Sequence, residues 1–178
     1  HLGERLLSVH YGYSKVNIGE VPIQKLKEKV IIFTSGGFET STLEELVNYS
    51  WEKKYMKNII YKAIDPNIKE IEYVKEDITS LKDFNTTNLT IVTPETDTLF
   101  TYQYEPKYAW SAGCQFVCMN YQKIDQFIQQ NADKFKRNSF ILKPANLRSA
   151  SYSSPNVLKI QQEQNTEGST FGKCSISK

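Results

Sequence analysis

The stretch that decides the fold is YAWSAGCQFVCMNYQ, residues 108–122. From residue 113 to residue 121 its side chains follow the two-residue period of a β-strand. The two predicted faces carry Cys114, Phe116 and Cys118 on one side and Gln115, Val117 and Met119 on the other. A strand with apolar residues on both faces is typical of a sheet that is covered on both sides.

Three further runs of β-branched and aromatic residues predict short strands. They are residues 30–33, which precede Gly36 and Gly37, residues 89–92, which precede Pro94, and residues 140–142, which precede Lys143 and Pro144. The first is a continuous apolar run that ends near glycines, so we expect it to be buried on both faces.

Helical signals lie between these runs. Asp65 can cap a helix with Pro66 at its first position, and apolar residues follow at intervals of three, which predicts a helix over residues 66–75. Residues 42–61 fit helical spacing and strand spacing equally well, so their first half stays open on pattern alone. Strands that alternate with helical segments indicate an α/β fold with parallel strands.

The bulk properties exclude several classes of protein. The chain has 178 residues, is 39% hydrophobic and 24% charged, and has a net charge of +2, which fits one globular unit and gives no electrostatic signature of a nucleic-acid binder. No run approaches the roughly 20 apolar residues that cross a bilayer, so we expect only peripheral membrane contact. Three cysteines make a disulfide framework improbable and favour a reducing compartment.

Few residues in this chain are candidates for catalysis or metal binding. The two histidines, His1 and His10, sit in no motif, so we assign neither a catalytic role. Cys114 and Cys118 lack the further ligands that a metal site requires, and we interpret them as buried apolar residues. The sequence therefore predicts no catalytic residue and no metal site within its own length.

The segment 95–106 is unusually aromatic for a connection between two strands. Leu99, Phe100 and Tyr102 are candidates for insertion at a lipid interface. The alternative is that these side chains pack down on the rim of the fold.

Two linked motifs resemble the intracellular phosphoinositide-specific phospholipase C family. Residues 108–122 resemble the family segment W-N-x-G-C-Q-x-V-x-x-N-[FY]-Q, with Ser111 as a small departure, and residues 135–148 resemble its F-x-x-N…G-Y-V-L-K-P-x-x-L-R ending. The residues that match and that we expect to act structurally are Trp110, Gly113, Cys114, Gln115, Asn120, Gln122, Lys143, Pro144 and Arg148.

Weaker likenesses extend this resemblance upstream. Residues 2–7 are similar to the family's L-G-x-x-L-L, residues 26–32 to its L-K-G-K-I-L-[LV], and residues 46–49 to the opening of its Y region, which favours a strand there. The resemblance implies the C-terminal half of a distorted TIM (β/α)8 barrel. It implies the end of the X region at 1–37, the Y region at 38–148, and at 149–178 a linker and the start of a calcium- and lipid-binding β-sandwich.

The resemblance also implies a function. Such enzymes use two histidines and calcium to convert phosphatidylinositol bisphosphate into diacylglycerol and an inositol phosphate in intracellular signalling. By alignment those groups lie upstream of this chain, so we expect the fragment alone to be inactive. The implied partners are an inositol phospholipid at the inner face of a membrane, with the protein in the cytoplasm, and the N-terminal half of the barrel.

The family's head-group cations are missing from this chain. Its two lysines fall on Phe33 and Ser35, and its arginine and tyrosine fall on Ile91 and Thr93. Each lost charge-assisted hydrogen bond to a ring phosphate is worth about 1.5–3 kcal/mol. Three interpretations follow: a phospholipase C with an altered head-group site, a catalytically silent scaffold, or a peripheral membrane-binding protein.

Overall fold

The computed structural model of the chain describes residues 2–51, 53–69, 75–95 and 103–149 as a mixed α/β unit. The strands are Phe33–Thr34 (β1), Tyr49–Ser50 (β2), Met56–Ile60 (β3), Leu89–Thr93 (β4) and Phe116–Val117 (β5). The helices are Tyr61–Ile64 (α1), Ile78–Thr87 (α2), Lys107–Ser111 (α3) and Gln126–Lys134 (α4). Short 3₁₀ turns occupy Gly3–Arg5, Val9–Tyr11, Ile18–Glu20, Ile23–Leu26, Glu44–Leu46 and Ala145–Leu147.

Every strand pairing among the described residues is parallel, and neighbours in the sheets are neighbours in the chain. One sheet pairs β1 with β2, and the other has the order β3-β4-β5. A parallel bridge between Leu6 and Val30 precedes β1. Parallel neighbours require a crossover, and α2 and α3 lie in the two crossovers of the three-stranded sheet. The expectation of an α/β fold with parallel strands is therefore confirmed.

The two long helices begin at aspartates. The Asp77 carboxylate accepts from Thr79 N at 3.0 Å at the start of α2. The Asp125 carboxylate accepts from Phe127 N at 2.9 Å and from Ile128 N at 3.1 Å at the start of α4. Each side chain satisfies amide donors that a first helical turn leaves unpaired, which fixes where the helix starts.

The three-stranded sheet has two different faces. On β4, Thr90 and Val92 are fully buried beneath the helices, whereas Leu89, Ile91 and Thr93 on the opposite face are only partly covered. The helix side is a core of buried apolar residues, among them Ile59, Tyr61, Ile64, Leu81, Val92, Ala109, Ala112 and Ile128. A second cluster, built on Leu7, Ile18, Tyr49 and Met56, covers part of the opposite face.

Several predicted strands differ from the structure in length. Residues 89–92 are confirmed as a strand, and the strand interpretation of the open region is confirmed at Tyr49–Ser50. The predicted strand 113–121 is a strand only at Phe116–Val117, which pair with Ile91 and Val92 of β4.

The prediction for residues 30–33 was wrong in its burial and its bounds. The strand is Phe33–Thr34, with Val30 in an isolated bridge, and Val30 is 38% exposed rather than buried on both faces. Residues 140–142 form no strand with any described residue, and their three side chains are exposed. Both runs lack an apolar layer that covers them within the described part of the chain.

The helix predicted over 66–75 was also wrong where the chain is described. The preceding helix α1 ends at Ile64, and residues 65–69 and 75 are not helical. The Asp65 carboxylate accepts from Asn67 N at 2.8 Å in a local turn. The backbone oxygen of Asp65 accepts from the Lys75 ammonium at 2.8 Å. Local side-chain bonds of this kind compete with helix formation.

No helix among the described residues has the length and apolar character to span a lipid bilayer.

Leu81 on α2 is fully buried against the sheet, so its removal tests the helix layer. We expect Leu81→Ala to lower the free energy of unfolding by about 2–5 kcal/mol, because it leaves a cavity between α2 and β4. The measurement is chemical unfolding of the parent protein. Asp83→Ala, an exposed site on the same helix, should change it by less than about 0.5 kcal/mol. Equal losses for both variants would contradict this packing.

Candidate functional site at the carboxyl edge of the strands

Within each of the two sheets the described strands are parallel, so their carboxyl ends share one edge of that sheet. In parallel α/β folds, binding groups collect at this edge, because loops that follow neighbouring strands meet there. We call the carboxyl ends of the strands in both sheets the carboxyl edge and define it by Ser35, Ser50, Lys62, Thr93 and Glu95, together with Asn58, which lies within β3 and bonds to Thr93.

Two polar pairs occupy the carboxyl edge of the three-stranded sheet. The Thr93 hydroxyl donates to Asn58 Oδ1 at 3.1 Å in an exposed position. Beyond it, Lys62 Nζ lies 2.9 Å from Glu95 Oε2, and the two side chains are only 16% and 15% exposed. The edge therefore offers hydroxyl and amide groups beside a pair of opposite charges that compensate each other.

The four positions that the resemblance predicts as head-group positions are mostly packing positions in the structure. Phe33 stacks on Tyr49 at a centroid distance of 5.4 Å and meets Phe116 edge-on at 5.3 Å. Ile91 packs against the Leu7 and Tyr49 cluster. Thr93 binds Asn58, and the backbone oxygen of Ser35 accepts from the Ser50 hydroxyl at 3.3 Å. These side chains supply no cation for a ring phosphate.

At the opposite, amino edge, the motif residues surround one buried amide. Asn85 on α2 is 1% exposed. Its Nδ2 donates to Ala112 O at 2.8 Å and to Cys114 Sγ at 3.6 Å. Its Oδ1 accepts from the Thr90 hydroxyl at 2.6 Å. The amide thus joins α2, β4 and the segment before β5.

Gln115 joins the same three elements by a second route. Its Oε1 accepts from Thr90 N at 2.9 Å, and its Nε2 donates to Asn88 O at 2.8 Å and to Asn85 O at 3.3 Å. The last carbonyls of α2, which have no partner within the helix, are capped in this way.

Lys143 completes the amino edge. Its ammonium donates to Asn85 O, and its own backbone oxygen accepts from Arg148 Nε at 2.5 Å. Pro144 introduces the 3₁₀ turn Ala145–Leu147, whose Leu147 is buried. The L-K-P-x-x-L-R segment is thereby fastened to the end of α2.

The remaining motif residues have individual roles. Gly113 has a φ of +77°, a conformation that disfavours side chains, and an added Cβ would lie 3.4 Å from Asn85 Cβ. Asn120 N donates to Gln103 Oε1 at 3.2 Å. Gln122 is exposed in a turn. The Trp110 ring meets Phe135 at 6.5 Å and lies under the Lys134 ammonium at 4.4 Å.

Burial changes the pKa values of two side chains at the amino edge, Lys143 and Cys114. It lowers the pKa of the Lys143 ammonium from 10.5 to about 8, because desolvation disfavours the charged form. It raises the pKa of the Cys114 thiol from 9.0 to about 12 for the same reason. Cys114 is therefore a neutral, unreactive thiol, in line with its interpretation as a buried apolar residue.

The candidate membrane residues Leu99, Phe100 and Tyr102 lie outside the described residues, as does His1. The neighbouring Tyr104 is described, and it stacks on Tyr61 with ring centroids 5.1 Å apart. His10 is exposed. No group of three or more His, Cys, Asp or Glu side chains is arranged to hold a metal ion within the described ranges.

Sequence reasoning missed Asn85, Asn58 and the Lys62–Glu95 pair. Asn85 could have been found from helical spacing, since Leu81 and Asn85 lie one turn apart on the buried face of α2. Lys62 and Glu95 offer no comparable signal. Their pairing depends on the register of β3 with β4, and two isolated charges in a sequence do not reveal it.

Comparison with known families identifies the class of protein. The model of the phosphatidylinositol-specific phospholipase C Y domain matches residues 38–146. The chain therefore belongs to the phosphatidylinositol-specific phospholipase C family, and this confirms the resemblance carried by the two motifs.

Individual relatives bear the names of enzymes. The chain is 29% identical over 121 residues to a 1-phosphatidylinositol 4,5-bisphosphate phosphodiesterase of Drosophila melanogaster, which covers 61% of this chain. It is 29% identical over 133 residues, 68% of this chain, to the beta-2 form of Mus musculus, and 36% identical over 64 residues to the eta-2 form of Homo sapiens. The chain spans about 11% of the length of the fly and mouse proteins.

The Lys143 shift predicts how stability depends on pH. Between pH 8 and 10.5 the unfolded chain holds a proton on Lys143 that the folded chain has lost, so stability rises with pH through that window. Above pH 9.0 the Cys114 thiol opposes this rise, because the folded chain keeps a proton that the unfolded chain releases. The clearest rise is therefore expected between about pH 8 and 9.

Lys143→Met should abolish this rise, as measured by the thermal midpoint of the parent protein across that range. Lys123→Met, which removes an exposed lysine, should preserve it. If both variants keep the wild-type slope, Lys143 does not titrate as its burial requires.

Proposed function

We propose that this chain is the second half of the catalytic barrel of an intracellular phosphoinositide phospholipase C. In this proposal, the parent hydrolyses an inositol phospholipid to diacylglycerol and an inositol phosphate. The observation that carries the proposal is the match to the Y domain over residues 38–146, on a fold whose described strands are parallel and follow one another in chain order. In a (β/α)8 barrel, each strand is parallel to the strand that follows it in the chain and lies beside it in the sheet.

The open face of the sheet supports the half-barrel part of the proposal. A cavity of about 870 Å³ lies against it, with a lining that includes Ile18, Phe33, Tyr49, Leu89, Trp110 and Phe116. A concave apolar surface of this kind is suited to contact with another layer of the fold. We propose that the N-terminal half of the barrel covers it.

Two details of the cavity agree with a covering layer. The Trp110 indole nitrogen is buried and finds no acceptor among the described residues, and buried donors of this kind are normally bonded. Phe140 and Leu142 in the cavity lining are 76% and 52% exposed. A preceding barrel half would supply both an acceptor and a strand neighbour.

The residues present in this chain indicate which catalytic roles belong to the other half of the barrel. General acid–base chemistry at a phosphodiester needs titratable groups within hydrogen-bond reach, and His10 is the single described histidine. We propose that the catalytic histidines and the calcium ligands belong to the preceding half. This chain then contributes the carboxyl edge that contacts the head group.

The head-group site is proposed to be altered. Phosphorylated rings are usually held by arginine or lysine, but Phe33, Ser35, Ile91 and Thr93 stand at the four positions in question. This favours a lipid with few ring phosphates. The same observation favours a second candidate, a catalytically silent scaffold that keeps the amino-edge packing while its site residues change.

The setting proposed for the parent is the cytoplasm, with peripheral contact at the inner face of a membrane. Residues 99–102 would touch the lipid surface if the aromatic segment inserts. Residues 149–178 would be the linker and the start of a following β-sandwich.

The parent protein should turn over inositol lipids, and calcium chelation should abolish the reaction. The measurement is release of soluble inositol phosphate from vesicles of phosphatidylinositol or of phosphatidylinositol 4,5-bisphosphate. The isolated chain serves as the matched control and should release none. A folded parent that is inactive on both lipids with calcium present would favour the silent scaffold.

Cationic side chains placed at the predicted head-group positions should shift the lipid preference of the parent protein towards phosphorylated lipid. We expect Ser35→Lys combined with Ile91→Arg to raise bisphosphate turnover relative to phosphatidylinositol turnover by at least about tenfold, since one charge-assisted hydrogen bond is worth that much. The control Thr42→Lys adds charge at an exposed site that is not part of the carboxyl edge. An equal shift from the control would mean that net charge, rather than the edge, sets the preference.

A further inference from the structure

We infer that the turn after β5, residues 120–124, is a lipid-contact tip that enters the interfacial layer of a membrane beside the carboxyl edge. The inference rests on the proposed function, since a phospholipase has to meet its substrate at a bilayer surface. It assigns Ile124 to the boundary between head groups and acyl chains, Tyr121 to the head-group layer, and Lys123 to anionic lipid. It is independent of any contact by residues 99–102.

The turn exposes two large apolar side chains. Ile124 is 84% exposed, the highest value for a large apolar side chain among the described residues, and Tyr121 is 66% exposed. A single exposed apolar residue is ordinary, but two within four residues concentrate apolar surface at one place. Cys118 N, at the end of β5, donates to Val92 O at 2.9 Å, so the turn that follows lies at the carboxyl ends of β4 and β5.

The segment that crosses from β4 to β5 braces this turn. Gln103 Nε2 donates to Lys123 O at 3.0 Å and also to Asn120 O, while Gln103 Oε1 accepts from Asn120 N at 3.2 Å. Lys123 N donates to Asn120 O at 3.2 Å within the turn. These hydrogen bonds hold Ile124 in a fixed position, so binding does not have to offset the entropy cost of ordering a loop.

The junction with α4 fixes the turn from the other side. The Tyr121 hydroxyl accepts from Asn131 Nδ2 at 3.0 Å, which ties the ring to α4. The carboxylate of Asp125, next to Ile124, is bonded to the first amides of that helix. Residues 120–124 contain no acidic residue, and Lys123, their one charged residue, is exposed. The charge of the turn therefore suits an anionic lipid surface.

The size and composition of the turn fit a lipid surface better than a protein partner. A stable protein interface takes about 800 Å² from each partner, and two apolar side chains in one turn supply a small part of that area. A fluid bilayer accepts a small tip. The isoleucine gains by leaving water, the tyrosine ring suits the head-group layer, and the lysine is attracted to anionic lipid.

Substitution of Ile124 in the full-length parent tests the inference. The probe is co-sedimentation with phosphatidylcholine vesicles that carry phosphatidylserine as a minor component. Ile124→Ser should weaken vesicle binding by about tenfold, because its side chain no longer gains by leaving water. Ile124→Leu keeps the apolar volume and should bind as the wild type does. Unchanged binding by Ile124→Ser would overturn the inference.

Leu43→Ser is the matched control. Leu43 is a 40% exposed apolar side chain in the segment that leads into the amino end of β2, and it is not part of the turn. The control should leave vesicle binding unchanged, and an equal loss from both variants would overturn the inference. The thermal midpoint of Ile124→Ser should stay at the wild-type value. A clear fall would show that another part of the parent covers Ile124, which would overturn the inference as well.

Turnover separates this inference from the proposed function. For an active parent, Ile124→Ser should lower the ratio of phosphatidylinositol turnover in vesicles to turnover of soluble, short-chain phosphatidylinositol by about tenfold, since the soluble lipid requires no membrane contact. An unchanged ratio would contradict the lipid-contact tip. An inactive parent whose vesicle binding still depends on Ile124 would support the tip and contradict the enzymatic proposal.

Discussion

The side-chain amide of Asn85 is the interaction on which the rest of the described structure depends. It is 1% exposed, and it bonds a helix, the strand that follows it and the turn that leads into the next strand. An unsatisfied buried amide costs about 1–3 kcal/mol, so the network is stable only when all its partners are in place. Gly113, Gln115 and Lys143 lie around Asn85, and each completes or accommodates that network.

This arrangement separates the end of the sheet that holds the elements together from the polar end at the carboxyl edge. The packed amino edge fixes the register of β4 against β5, and the register in turn determines which residues emerge together at the carboxyl edge. Because the two edges are at opposite ends of the strands, residues such as Phe33 and Ile91 can change without disturbing the amide network. The residues that carry the family motifs therefore differ from those that lie at the carboxyl edge.

The sequence predicted the parallel α/β class, the strand at residues 89–92 and the family, since these depend on local pattern and on short motifs. It failed for residues 66–69, where Asp65 bonds locally to Asn67, and for residues 140–142, which form no strand with any described residue. The sequence analysis also missed helix α2, although Asp77, the residue that caps it, is a typical first residue of a helix. Of the site, the four altered positions could be predicted by alignment, but the Lys62–Glu95 contact arises from three-dimensional register alone.

Compensated charge at the carboxyl edge has a consequence for how a protein built on it would reach a membrane. Opposite charges 2.9 Å apart produce a field that decays within a few ångströms, far less than the roughly 8 Å screening length at physiological ionic strength. Such a pair adds little to the long-range steering of a charged partner, and salt changes its contribution little. Long-range attraction to any charged partner would therefore come from charges elsewhere in the polypeptide rather than from this pair.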